Sequence, residues 1–286
     1  MTNSVIPADS KVGQQLRDAV GQRKILLVVG LPSTGKSLLF QQLSILAHEA
    51  GRKVHAMQWD DARSVFETEA WLSRYPEVDS ITHPGIRKAI GLWVRRGVLD
   101  WRTAHSAPED LLIVELPVVG GRFIELLQPL EDEAETLLAS DETLALVPVP
   151  TNAMREVITG IRAQTFRNPR NELEAREAPI HIVEADWAEA RKLYISWNNI
   201  SDPSTVNPVY EEAVCQSVFE HICRFRPLNV LTIDREYPTT GSTYERPTPT
   251  QSFTATADEV KEAYARLQDL YPGNEAAKAA DNWAEY

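Results

Sequence analysis

Cysteine is nearly absent: the 286 residues contain two, Cys215 and Cys223. They lie about two turns apart in a stretch that reads as helix, too far for a bridge within it. This predicts buried thiols, no disulfide framework and a cytoplasmic, reducing setting. Cationic residues are also short, 29 Lys and Arg against 41 Asp and Glu, for a net charge of −12. Affinity for a phosphate backbone depends on clustered Lys and Arg, so nucleic acid is not an expected partner. No run approaches the roughly 18 apolar residues a spanning helix needs, and residues 1–7 lack a basic-then-apolar leader, so no membrane insertion is expected. The six histidines are scattered without metal-ligand spacing, and no internal repeat occurs.

What the chain does have is an apolar fraction of 43%, enough for a sizeable core, and one specific motif. Gly30-Leu31-Pro32-Ser33-Thr34-Gly35-Lys36-Ser37 matches G-x-x-x-x-G-K-[ST] at every fixed position. It is preceded by Lys24-Ile25-Leu26-Leu27-Val28-Val29, which reads as a buried strand, and followed by a helix that opens near Lys36 and Leu38 and closes at Gly51. Glycines let successive backbone N–H groups converge on phosphates at the positive end of that helix. The residues predict binding of a nucleoside triphosphate, with Lys36 on the β- and γ-phosphates and the Ser37 hydroxyl on Mg2+. ATP and Mg2+ are therefore the expected cofactors.

Further apolar runs predict strands at 53–58, 111–115, 143–149 and 229–234, separated by helices at 62–75, 85–105, about 124–139, 186–197 and 208–225. Such alternation predicts an α/β fold with a five-stranded parallel sheet covered on both faces. Residues 1–235 read as one nucleotide-binding domain with a helical insertion at about 62–105 and a polar, arginine-bearing, lid-like segment at about 151–177. Residues 236–286 read as a Pro/Thr-rich linker, from Pro238 to Thr250, followed by a C-terminal helix at 257–271.

Strand ends carry the candidate chemistry, because ligands of open α/β sheets bind at the carboxyl edge. Glu115 closes the third strand and is positioned to organise Mg2+ or accept a proton. Asp60 and Asp61 follow the second, where one of the two can engage an acceptor hydroxyl; the alternative is an acidic N-cap for the next helix. Arg155, Arg162, Arg167, Arg170 and Arg176 form the basic stretch of an otherwise acidic chain. Arg162, Arg167 and Arg170 are the candidates for a clamp on a transferring phosphoryl group, although Glu156, Glu172, Glu174 and Glu177 among them would also suit a mutually neutralised surface. Trp59, beside Asp60, could stack on a substrate ring or serve as core.

This order of parts resembles the nucleoside/nucleotide and shikimate kinase-like group within the P-loop NTPase superfamily, over about residues 24–235. Val114-Glu115-Leu116-Pro117 with Arg122 is similar to that group's third-strand motif. The resemblance implies a three-layer P-loop fold and a phosphotransferase moving the ATP γ-phosphoryl to a small-molecule acceptor. Asn-Lys-x-Asp and L-S-G-G-Q strings are absent, which sets GTPases and ABC-type ATPases aside. The alternative, suggested by the long C-terminal extension, is a nucleotide-gated regulator or assembly ATPase acting through a protein partner.

Overall fold

A computed structural model of the chain describes residues 4–78, 81–175, 179–239, 241–273 and 275–286. Arg176 and Glu177 of the basic stretch, the first three residues and Thr240 lie outside the described residues. The elements run α1 (Lys11–Gln22), β1 (Ile25–Val29), α2 (Lys36–Glu49), β2 (Lys53–Met57), α3 (Trp59–Phe66), α4 (Glu69–Arg74), α5 (Pro84–Ala104) and β3 (Asp110–Leu116). They continue with α6 (Glu135–Leu138), β4 (Thr143–Pro150), α7 (Asn152–Arg167), α8 (Glu172–Ala175), α9 (Ile180–Trp197), α10 (Glu212–Ile222), β5 (Leu228–Ile233), β6 (Thr250–Ser252), α11 (Ala257–Leu270) and α12 (Glu275–Asp281).

The architecture is α/β, built on a single all-parallel sheet in the order β5-β4-β1-β3-β2-β6. Alternate residues of β1 serve opposite cores: Ile25, Leu27 and Val29 pack among residues of α5, α10 and α11, whereas Leu26 and Val28 pack among those of α1 and α2. Burial on both sides explains why β1 is uniformly apolar. Pro148 and Pro150 are tolerated inside β4 because its pairing with β1 ends at Leu146, leaving only β5 alongside the prolines.

The sheet has six strands where the sequence predicts five. The additional strand, β6, lies in the stretch read as linker; it pairs with β2 in the register Val54↔Thr250 and Ala56↔Ser252. Thr-Gln-Ser carries no apolar pattern, so its pairing is a matter of backbone hydrogen bonds alone. Helix 62–75 divides into α3 and α4 and starts earlier, which moves Asp60 and Asp61 from a strand end into a first helical turn. The helix expected at 124–139 shrinks to a 3-10 turn at Ile124–Leu126 and the short α6. The polar segment 151–177 is mainly the regular helix α7, capped by the Thr151 hydroxyl accepting from Met154 N at 3.3 Å.

The C-terminal residues pack on the rest of the chain. A capping box at Thr256 and Glu259 starts α11, which lays Val260, Ala263, Tyr264 and Leu267 into the core that contains α5. Tyr264 is fully buried, donates to Phe66 O at 2.9 Å and stacks on Trp71 with ring centroids 3.7 Å apart. Cys215 and Cys223 are both buried free thiols, and burial pushes the first up to about 11 and the second to about 12. No helix among the described residues is long and apolar enough to cross a membrane.

Candidate functional site

Because all strands run parallel, the segments after β1, β2, β3, β4 and β5 emerge at one edge. The chain leaves β1 for β2 and β3 on one side and later crosses to β4 and β5 on the other, so the sheet's topological switch falls at β1. The loop that matches the phosphate-binding motif follows β1 directly. A cleft of about 1360 Å3 opens there, lined from the loop by Pro32, Ser33, Gly35, Lys36, Ser37 and Leu38.

Within the loop, Ser33 and Gly35 adopt left-handed φ values of 61° and 92°. Gly30 N bonds to Leu116 O at 3.3 Å, and a Cβ on Gly30 would approach Thr34 Oγ1 to 3.0 Å, so the turn is tightly packed at this glycine. Thr34 Oγ1 donates to Leu31 O at 2.9 Å and Lys36 Nζ donates to the same carbonyl at 2.8 Å. Gly30, Leu31 and Thr34 are buried and shape the turn; they do not line the cleft. Gly35 caps α2 without any side-chain hydrogen bond, leaving the first N–H groups of α2 to an external acceptor. The buried Ser33 Oγ has no hydrogen-bond partner. Burial drives the Lys36 ammonium down to about 8, opposed chiefly by the Glu115 carboxylate.

Glu115 lies opposite Val28 in the β1–β3 register, one strand over from the loop, and its Oε2 accepts from Gln58 Nε2 at 2.8 Å. Asp60 and Asp61 both face the cleft, but their partners differ. Asp61 is engaged by Arg246 at 2.9 Å, whereas among the described residues Asp60 pairs with Arg63, at 3.6 Å. Burial pushes the Asp60 carboxyl up; Arg63 opposes this, and Glu115 and Asp61 add to it. Its side chain is still 53% accessible through the cleft mouth, so the solvent that reaches it limits the effect.

The arginines separate. Arg162 and Arg170 line the cleft; Arg167 is exposed and does not. Arg170 is paired with the buried Glu174 at 3.0 Å. Arg155 is no lid residue: it is buried below the loop, donates to Pro32 O, and lies over the Tyr210 ring at 5.0 Å. Trp59 touches the cleft but is only 6% exposed and meets Phe123 edge-on at 5.2 Å, which favours the core role. Arg122 pairs with Asp186 at 2.7 Å.

Several cleft residues escape the sequence reading: Gln58, Arg87 and Asp186, and Tyr237, Tyr244 and Trp283 from beyond β5. Nothing local marks them, since their roles depend on which distant segments share the edge. Among the described residues no group of three or more His, Cys, Asp or Glu could hold a metal ion unaided. Ser37 and Glu115 remain the pair that could share Mg2+ with phosphates and water, the usual economy of Mg2+ sites. Comparison with protein-family models, curated proteins and solved structures gives no significant match to the chain.

Proposed function

We propose that the protein is an ATP-binding P-loop phosphotransferase, of three-layer P-loop architecture and cytoplasmic, that moves the ATP γ-phosphoryl to a small-molecule acceptor. One observation carries the reading: the uncapped start of α2, the buried Lys36 and the Glu115 carboxylate meet at the switch point of a parallel sheet, on a cleft that also presents Asp60. The partnerless Ser33 hydroxyl and the uncapped N–H groups are what a phosphate chain would satisfy, so the residues present fit the nucleotide.

Gly30, Leu31, Pro32, Ser33, Thr34, Gly35 and Leu38 form the cradle and its support. Lys36, now bonded to Leu31 O, would turn to the β- and γ-phosphates, and Ser37 and Glu115 would hold Mg2+, directly or through water. Bound ATP would supply the transferable phosphoryl group, and Mg2+ would offset the charge developing on it. Asp60 accepts the proton of the acceptor hydroxyl, a task suited to a carboxylate whose surroundings raise its basicity. Arg162 and Arg170 face the cleft from the segment above it and steady the equatorial oxygens.

Asp60→Asn is expected to lower turnover by roughly 100-fold or more while sparing ATP affinity. An acceptor screen with γ-phosphate release, run beside calorimetric ATP binding, reads both. Full turnover in Asp60→Asn would remove the proposed role. The second reading, a nucleotide-gated regulator working through a protein partner, is favoured by the direct bonds from the C-terminal extension to Gln58 and Asp61. It predicts ATP binding without transfer to any small acceptor.

A further inference from the structure

Resting on the nucleotide-binding reading above, we propose that Arg246 of the C-terminal extension is a positioning residue for Glu115. It fixes the polarity of the Gln58 amide that holds Glu115, and it occupies Asp61, leaving Asp60 as the open member of the acid pair.

Gln58 bridges two groups: its Nε2 donates to Glu115 Oε2 at 2.8 Å and its Oε1 accepts from Arg246 Nη2. The same Arg246 nitrogen donates to Asp61 Oδ2 at 2.9 Å. An amide has a donor end and an acceptor end of nearly equal shape, so only its neighbours decide which way it faces. An ionised carboxylate only accepts and a guanidinium only donates. With both in place, one orientation satisfies everything, and the flipped one sets oxygen against carboxylate and NH2 against guanidinium. Without Arg246, one half of that constraint is gone and the amide is free to turn toward water, together with the carboxylate it restrains.

Arg246 is itself held in register with the phosphate loop. Gln41, one turn beyond Ser37 on α2, donates to both Ser242 O and Glu245 O at 2.9 Å. Four residues after Arg246 the chain enters β6 beside β2. The extension therefore spans from the helix behind the phosphate loop to the acids at the end of β2. Stability alone does not account for the arrangement, because the Arg246–Asp61 pair is 29% and 34% exposed, and such pairs contribute little to folding. Residues that orient a metal-ligating carboxylate, by contrast, typically alter metal affinity strongly.

The test is calorimetric titration of the full chain with ATP, with and without MgCl2, for wild type, Arg246→Ala, Arg246→Lys, Gln58→Leu and the Arg246→Ala/Gln58→Leu double variant. Thermal melts verify folding. The factor by which Mg2+ tightens ATP binding is expected to fall roughly tenfold in Arg246→Ala and in Gln58→Leu, while affinity for metal-free ATP is unchanged. The double variant should lose no more than either single, since both act along one path. Arg246→Lys, which keeps donors for both oxygens, should lie nearer wild type than Arg246→Ala does. An unchanged Mg2+ factor in Arg246→Ala, losses that add in the double variant, a lysine variant no better than alanine, or a parallel loss of metal-free ATP binding would each overturn the proposal and leave the nucleotide site standing. Wild-type protein that binds ATP equally well without Mg2+ would likewise overturn the proposal while leaving the nucleotide site standing, and wild-type protein that binds no ATP would overturn both.

Discussion

Lys36 is the residue on which the account turns. It is 6% exposed, and burial brings its ammonium down to about 8 from the usual 10.5. A lowered folded-state value means that the buried charge costs stability at every pH below about 8. The cost is relieved as pH rises from about 8 to 10.5, because the folded chain then binds fewer protons than the unfolded one. At about 1.4 kcal/mol per pH unit the full cost is on the order of 3 kcal/mol. Lys36→Met is therefore expected to be more stable than wild type at pH 7, with the gap closing toward pH 10.5, as denaturant melts across that range will read. Phosphates restore the charge, so ATP binding between pH 8 and 9 should take up a proton. Calorimetry in two buffers of different ionisation enthalpy measures that uptake, and its persistence in Lys36→Met would contradict the assignment. The placement of the loop and Lys36 between β1 and α2 was legible in the sequence, since glycine spacing and the adjoining lysine are local. The partners of Asp61 and Glu115 were not, because Arg246 lies 185 positions from Asp61 in the chain.

At the scale of elements, periodicity identified β1, β3, β4, α2 and α11, where an apolar face or a fully buried strand leaves its mark. It missed β6, whose three residues pair through backbone alone. It also left α7 inside a polar, lid-like segment without marking a helix there, since Arg155 is the one member of that helix that is buried and its charge disguises the fact. Tyr264 is the largest of the side chains that dock α11. Tyr264→Ala removes a fully buried ring and its bond to Phe66 O, and is expected to cost about 3–5 kcal/mol. Tyr264→Phe, which loses only the hydrogen bond, should cost about 1 kcal/mol. Urea titrations of the two variants separate packing from hydrogen bonding, and equal losses would contradict the stacking role.

For the whole molecule, the outcome is a sheet whose carboxyl edge gathers groups from nearly every segment, including one beyond residue 236. The sequence presents that extension as an appendage; the structure makes it a strand of the sheet and part of the α5-side core. A chain ending at Tyr237 is accordingly expected to lose cooperative melting and bind hydrophobic dyes, because Trp93, packed against Phe253, and the Phe66 ring, packed against Tyr264, would be uncovered. A truncated chain that melts like the full one would show that the extension is dispensable.

The central claim is a nucleoside triphosphate site at the loop after β1. Its most direct test is calorimetric titration of the full chain with Mg2+–ATP, wild type beside Lys36→Met. The account predicts one site in the wild type, weakened roughly 10- to 100-fold by the substitution, the loss expected for charge-assisted bonds to phosphate. No heat of binding in the wild type, or equal affinity in the two proteins, would contradict it.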